Sequence, residues 1–511
     1  MSGDPVRIRL EPLAVELEVE RGGSLVAGLA AHGIEFPCGG MGECGGCSVR
    51  MLSGSLPVTD ADRSIFTPQE LAAGWRLACQ ARAETSLVLE CAQWRMEILT
   101  DTSTNVGAPG PSHLRTGERT NTQPTAIAID LGTTTIAAQL IDASTGDVLG
   151  VETLLNPQAA FGSDVMSRIR AALEGSDLTS PIRIALGQLV ARLAAGRESQ
   201  ITEVFLVGNT VMHHLFCGLS VEPLSHLPFA SPHLAEQRFT PRDLAWNLPN
   251  DCIIRFARCI GGFVGSDILA GIVATGIADR DDLTALVDLG TNGEIAIGNC
   301  NGIVCASTAA GPAFEAGAIR MGMRAVAGAV AYVALTGGGL HATVIGDAKP
   351  RGICGSGVVD AVAAGLRSGA ILANGRVANG TKIFPLVASV IPPVVLYQSD
   401  IRELQLAKAA IAAGFRLLLK RLDTGSSSLR AIHLAGAFGN YVQIDSAIRI
   451  GLLEFPRILI HAAGNTALRG AKMLLLADRE PALPAIEHVS LASDPVFQDE
   501  FAACMTFQST S

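Results

Sequence analysis

Apolar and polar residues alternate along VRIRL (6–10) and AVELEVE (14–20), the period-two signature of half-buried strands, and the short turn between them predicts a hairpin. Ser24 stands where it can cap a helix through LVAGLAAHG, SVRML and SLVLEC read as further strands, and TPQELAAGW reads as a short capped helix. This order suits a ferredoxin-like β-grasp over residues 1–97. From 98 to 124 the hydrophobic period disappears and Thr, Asn, Gly, Pro and Ser take over, which marks a linker. It is either rigidly docked or a flexible coil with an r.m.s. reach of roughly 30 Å.

After the linker the pattern repeats itself. AIAIDLGTTTIAAQLIDASTGDVL (126–149) and ALVDLGTNGEIAIGNCNGIVC (285–305) each read as strand, D-L-G-T turn, strand, turn, strand. Between and after the copies run helical stretches such as DVMSRIRAALEG, PIRIALGQLVARLAAG and LQLAKAAIAAGFRLLLKRL. Two sheets covered by helices are therefore expected, one lobe over 125–280 and a second over 281–511, with a cleft between them.

Composition narrows the function classes. At 511 residues the chain exceeds what a single core supports, so several domains are expected. A net charge of −10 without a Lys/Arg block argues against nucleic acid as a partner. Apolar stretches such as AVAGAVAYVAL fall short of the roughly 20 residues that span a bilayer. The N-terminal MSGDPVRIRLEP lacks a basic segment followed by an apolar one, so a cytoplasmic location with reduced thiols is expected.

Four cysteines carry the first chemistry. Cys38, Cys44 and Cys47 stand as C-x5-C-x2-C in a loop with Gly39, Gly40, Gly42, Gly45 and Gly46, and Cys79 follows after a long gap. Three thiolates on one tight loop and a fourth from elsewhere suit a [2Fe-2S] cluster, and the glycines let the backbone fold closely around sulfur. Zinc favours paired short spacings instead. Cys91 is an alternative fourth ligand, whereas Cys217, Cys252, Cys259, Cys300, Cys305 and Cys354 show no ligand spacing and are expected in the core.

The duplicated turns carry the second chemistry. A D-x-G-T hairpin lines a concave turn with N–H groups and hydroxyls suited to phosphate, while its Asp can hold a hydrated Mg²⁺. The candidates for clamping a nucleoside triphosphate are Asp130, Gly132, Thr133, Thr134 and Thr135 in the first copy and Asp288, Gly290, Thr291 and Asn292 in the second. Gly436 and Gly439, at the end of an apolar strand, would let a nucleoside lie against backbone, and Gly352, Gly355 and Gly357 precede a helix whose N-terminus could face an anion. Glu294 and Glu315 are candidates for positioning the attacking water, with salt-bridging or cleft-lining roles equally open. His213 and His214, after Asn209, are expected in a packed core or a helix cap.

DLGTTT, VGNTVMHHLF (207–216), AGPAFEAGAI (310–319), GICGSG, LAGAFGNY and the closing DPVFQDEFAACMTF resemble the actin-like ATPase superfamily. With the ferredoxin module ahead of them, they are similar to the reductive activators of corrinoid-dependent methyltransferases across nearly the whole chain. That resemblance implies an N-terminal β-grasp [2Fe-2S] domain, a linker, and an actin-like, RNase H-like duplicated, two-lobed ATPase. It also implies ATP-dependent reduction of cobalt(II) corrinoid to cobalt(I), a corrinoid-binding partner protein, an upstream electron donor and, as an open point, a homodimer. Longer relatives insert a further domain where only the linker fits here, and a C-terminal cysteine cluster found in another branch is reduced to Cys504. Two other functions fit the same modules: ATP-driven electron donation to another low-potential enzyme, or a redox-sensing ATP-binding interaction module.

Overall fold

The computed structural model describes residues 5–11, 15–31, 34, 42, 47–91, 124–290, 292–337, 339–346, 348–378, 380–439, 441–477, 479 and 481–508. The linker of 98–124 therefore lies, apart from Pro124, outside the described residues, as do Cys38, Cys44 and Thr291.

The alternation at the start of the chain becomes β1 (Val6–Glu11) and β2 (Val15–Val19), with Val6, Ile8 and Leu10 buried and the residues between them exposed. They join β3 (Ser48–Ser53), β4 (Trp75–Leu77) and β5 (Leu87–Cys91) in a five-stranded sheet of order β2-β1-β5-β3-β4, in which β1 and β5 run parallel. Helix α1 (Val26–Ala31) begins where Ser24 Oγ accepts from the Val26 amide. Two further helices, α2 (Asp60–Ile65) and α3 (Pro68–Ala72), are too short to persist alone and start with capping boxes, Thr59 with Asp62 and Thr67 with Glu70. Asp62 is buried, and its second oxygen accepts from the Leu77 amide at 2.7 Å, which ties α2 to the strand leading into Cys79.

Both repeats fold as three-stranded antiparallel meanders. The first is β6 (Thr125–Leu131), β7 (Thr135–Asp142) and β8 (Val148–Leu155), extended on the free edge of β6 by β9 (Ile201–Val207), then β10 (Gln237–Phe239) and β11 (Ile253–Phe256), giving the order β8-β7-β6-β9-β11-β10. The second is β12 (Thr284–Leu289), β13 (Gly293–Asn299) and β14 (Gly302–Thr308), extended by β15 (Ala431–Ala435), β16 (Ile460–Gly464) and β17 (Ile486–His488) in the order β16-β15-β12-β13-β14-β17. In each lobe the first meander strand pairs in parallel with the strand that returns to it, β9 or β15. Helices α4 (Val165–Leu173), α5 (Thr179–Leu193) and α6 (Thr210–Cys217) belong to the first lobe. Within the second lobe a small sheet of Ala329–Thr336, Gly339–Val344 and Gly352–Ile353 precedes a long buried helix, Gly355–Ser368.

The lobes exchange a helix. α7 (Ser266–Thr275) follows a first-lobe strand, yet Ile268 and Ile272 pack with Leu286, Ala296, Ile303 and Ala435 of the second sheet. Conversely α8 (Thr466–Leu476) follows β16, yet Ala467, Leu468 and Ala471 pack with Ala128, Ala137, Phe205 and Val207 of the first. The two helices meet almost backbone to backbone: a Cβ on Gly470 would stand 1.9 Å from the Ala270 carbonyl oxygen, and one on Gly271 3.2 Å from Thr466 Oγ1. Substituting Gly470 with Val should therefore force the helices apart and cost about 1–3 kcal/mol, measured as a lowered midpoint of denaturant unfolding.

Cys252, Cys259, Cys305 and Cys354 are buried as expected, and burial pushes the thiols of Cys252, Cys259 and Cys305 up to about 12. Cys300 departs from the expectation. It sits in the turn between β13 and β14, is exposed, and bonds Asp281 Oδ1 through its sulfur at 3.3 Å, because a tight hairpin tip has no core to enter. Among the described residues no helix is long and apolar enough to cross a membrane.

Candidate functional site

The end of β6 turns through Gly132, where a Cβ would stand 2.4 Å from the Thr135 carbonyl oxygen, so a side chain there would break the turn. Two asparagines hold this hairpin from outside. Asn156 is completely buried, donating Nδ2 to the Gly132 carbonyl at 2.9 Å and its backbone N–H to the Thr134 carbonyl at 2.9 Å. Asn209 caps α6, accepting from the Met212 amide, and donates Nδ2 to Thr133 Oγ1 at 2.9 Å. Backbone and hydroxyl groups of the turn are thus held in place before any ligand arrives, the condition for an anion cradle.

The second hairpin is built alike but carries more charge. Asp288 on β12 stands directly opposite Glu294 on β13, and the Gly290 amide closes the turn onto the Asn292 carbonyl at 3.0 Å. Gly436 has φ +86°, and a Cβ there would lie 2.4 Å from Asp288 Oδ1 and 2.6 Å from the Leu289 carbonyl oxygen. The glycine at the end of β15 therefore lets the backbone approach the aspartate. Gly439 instead packs against Leu434, supporting the turn from behind.

The exchanged helices complete the cleft. Asn465 caps α8 and donates Nδ2 to Asp130 Oδ2 at 2.8 Å, bringing second-lobe chain to the first-lobe aspartate. At the start of α7, Gly265 lies so close to β9 that a Cβ would meet the Gly208 carbonyl oxygen at 2.2 Å, and Ser266 Oγ bonds both the N–H and the carbonyl of Gly208 at 3.1 Å. The next residue, Asp267, faces the charge of Asp288.

Four carboxylates from both lobes consequently share one field. Burial pushes Asp130 up to about 6, partly offset by the Asn465 bond. Burial and then the Asp130 charge push Asp288 up to about 7. Burial, Asp288 and Asp130 push Asp267 up to about 8. Glu294 is pushed well above the carboxylate range by burial, then by Asp267 and Asp288, with a Ser307 hydroxyl donating to it at 3.1 Å in relief. Like charges crowded in a poorly solvated cleft are stabilised by a cation, so this donor set fits Mg²⁺. Among the described residues no group of three or more carboxylate, histidine or cysteine side chains is placed to hold a metal ion.

The two candidate glutamates part company. Glu294 belongs to the carboxylate field, whereas Glu315, on a single 3₁₀ turn at Pro312–Glu315, is an electrostatic neighbour of Arg168 in the other lobe. Arg168 is fully buried, donates Nε to the Gly162 carbonyl at 3.0 Å, and is pulled down to about 9 by burial. Sequence reasoning missed Asp267, which belongs to no repeated motif. The available signal was its place in FVGSDILAGIV, an acidic residue in the first turn of a helix.

Two further expectations resolve into packing. Cβ atoms on Gly352, Gly355 and Gly357 would meet the carbonyl oxygens of Met321, Phe314 and Val330 at 2.5, 1.7 and 2.3 Å, so these glycines let the strand end and the helix start pack directly against backbone. His213 and His214 are buried: His214 bonds Ser231 Oγ at 2.6 Å and the Thr210 carbonyl at 2.7 Å, and burial, then His214, pushes His213 down to about 4.

In the N-terminal module the β3–β4 register pairs Ser48 with Leu77, and the Ala78 amide continues it onto the Cys47 carbonyl at 3.1 Å. Cys47 and Cys79 are thereby brought to one end of this strand pair, Cys47 buried and Cys79 half-buried. Gly42 adopts φ +77°, and a Cβ there would meet Ala61 and Gln80 at 3.1 Å, so this glycine lies close against α2 and the residue after Cys79. Gln80 Nε2 points at Cys79 Sγ from 3.6 Å. Two cysteines at one end of a strand pair, with Gly42 close by, fit an iron–sulfur cluster. Cys91 is fully buried in the module core, and burial pushes its thiol up to about 12, unlike a ligand thiol.

Comparison with known proteins follows the same division. A model described as the 2Fe-2S iron-sulfur cluster binding domain matches residues 8–84, the RACo middle region matches 125–280, and the C-terminal domain of RACo, the ASKHA domain, matches 282–511. The corrinoid activation enzyme RamQ of Eubacterium limosum is 35% identical over 412 residues, covering 73% of this chain and 69% of the relative. The [Co(II) methylated amine-specific corrinoid protein] reductase of Methanosarcina barkeri is 27% identical over 386 residues, covering 68% and 69%. A solved structure of a reductive activator for corrinoid, iron-sulfur protein superposes with a TM-score of 0.66 at 26% identity, covering 99% of both chains.

Proposed function

Because this chain belongs to the family of reductive activators of corrinoid proteins, we propose that its halves divide one reaction: the N-terminal module delivers an electron and the two-lobed domain hydrolyses ATP. The enzyme reduces the cobalt(II) corrinoid of a methyltransferase system to cobalt(I). The observation that carries the coupling is the carboxylate field itself, since Asp130 comes from one lobe, Asp288 and Glu294 from the other, and Asp267 from a helix exchanged between them.

In this reading Gly132, Thr133, Thr134 and Thr135 cradle one end of the phosphate chain, and Gly290, Thr291 and Asn292 the other. Asp130 and Asp288 would hold a Mg²⁺ ion, which would offset the charge of the phosphates, and Gly436 gives the nucleoside close approach to backbone. Asp267 orients the attacking water and accepts its proton, a role suited to a carboxylate whose affinity for protons burial and Asp288 have raised toward neutrality. Glu294, opposite Asp288 across the β12–β13 pair, adds a further buried carboxyl to the same field. Cys38, Cys44, Cys47 and Cys79 hold the [2Fe-2S] cluster, which supplies one-electron transfer when bound. An upstream reductant reloads it. Oligomeric assembly as a homodimer is compatible with this division of labour.

Cobalt(I) corrinoid is a strong reductant, and each 100 mV of unfavourable gap costs about 2.3 kcal/mol per electron. ATP offsets that cost if the closed lobes bind the cobalt(II) partner better than the open ones, because only differential contact shifts an equilibrium. The test mixes enzyme, reductant and cobalt(II) corrinoid protein and follows cobalt(I) by its absorbance. Cobalt(I) should accumulate several-fold further with ATP than without, and equal yields would refute the coupling.

A further inference from the structure

The N-terminal module is seated on both lobes at once. On the second lobe, Arg351 Nη1 meets Glu70 Oε1 at 3.0 Å, its guanidinium lies 5.9 Å from the centre of the Phe66 ring, and Lys349 Nζ donates to the Ser64 carbonyl at 3.0 Å. Arg351 is held ready for this, donating Nη2 to the Ala327 carbonyl at 2.8 Å. On the first lobe, Leu155 at the end of β8 is 4% exposed and joins the hydrophobic core cluster of the module. The residue after Leu155 is Asn156, which grips the Gly132 and Thr134 carbonyls of the phosphate-binding hairpin.

We propose that the α2–α3 face of the cluster-bearing module and the Lys349–Arg351 segment form a nucleotide-sensitive latch that parks the module across the two lobes. A rigid module touching both lobes cannot keep both seats when the lobes rotate against one another. The apolar seat at Leu155 sits one residue from the hairpin that takes phosphate, so nucleotide bears on it directly. The polar seat at Arg351 and Lys349 is the one that opens: its ion pair is partly solvated and is replaced readily by water. The parked face also adjoins the cluster loop, since Ala61 of α2 lies against Gly42 and Asp62 anchors the strand before Cys79. Opening the latch frees the module to carry its electron to the corrinoid partner, so the inference deepens the proposed function and rests on its premise that ATP moves the lobes.

Hydrogen exchange on the full-length, cluster-loaded protein under anaerobic conditions tests it without corrinoid or reductant. The backbone of 60–72 and of 349–353 should be protected in the nucleotide-free enzyme. Arg351→Glu should speed exchange at 60–72 by about fivefold or more, whereas Arg351→Lys, which keeps the charge, should stay within about twofold of wild type. A non-hydrolysable ATP analogue should speed the same segment in wild type and add nothing in Arg351→Glu. Unchanged exchange in Arg351→Glu would overturn the seat, and wild-type exchange indifferent to the analogue would overturn the latch even if the variants failed to fold. Because no cobalt enters this readout, a failed latch is distinguishable from a failed cobalt(I) yield.

Discussion

Replacing Asp267 with Asn should lower ATP hydrolysis by about 10²–10⁴-fold, the usual loss when a positioned acid–base group is removed, with nucleotide binding changed far less. The same change should stabilise the nucleotide-free protein at mildly alkaline pH. In the folded state burial, Asp288 and Asp130 raise this carboxyl from an ordinary 3.8 to about 8, so the native protein keeps a proton that the unfolded chain has already lost. The contribution of this group to stability is therefore fullest below about 4 and is lost as pH rises through the window from about 4 to about 8. An amide carries no such penalty. The melting temperature of Asp267→Asn should accordingly exceed that of wild type at pH 8, with the gap closing toward pH 4. A pH-independent difference, or hydrolysis within threefold of wild type, would remove Asp267 from the catalytic role. Asp288→Asn should show the same stability trend over a window ending near 7.

Replacing Cys79 with Ala should abolish the [2Fe-2S] cluster and with it cobalt(I) formation, while ATP binding in the cleft persists. The visible absorbance of the purified protein and its iron content report the first, and nucleotide titration the second. Cys91→Ala is the informative control. Its side chain is fully buried opposite Val49, so its loss should leave the cluster in place and show only as reduced thermal stability of the module. A cluster lost in Cys91→Ala and kept in Cys79→Ala would exchange their roles.

Much of this architecture was legible in the order of residues because it depends on local periodicity. The alternation of VRIRL and AVELEVE places Val6, Ile8 and Leu10 on one face whatever lies beyond, and the D-L-G-T copies show themselves by recurring. The cluster was legible for a related reason: C-x5-C-x2-C among glycines states its chemistry within one loop. Glu315 and the glycines of 352–357 look the same in one dimension whether they line a cleft or pack a helix. Only neighbours distant in sequence show what each meets: the charge of Arg168 in the other lobe for the glutamate, and the carbonyls of Met321, Phe314 and Val330 for the glycines.

The sequence by itself determined the ferredoxin-type module and the duplicated lobes and marked the candidate cluster cysteines and phosphate turns, since each is written in residues close together along the chain. Tertiary structure alone decided that α7 and α8 trade lobes, that Asp267 joins Asp130, Asp288 and Glu294, and that Arg351 reaches Glu70. These depend on which surfaces meet after folding. Gly470 can be read as a helix residue, but the Ala270 carbonyl it must touch lies two hundred positions away, and the shift in the acidity of Asp267 exists only once burial and the second lobe surround it.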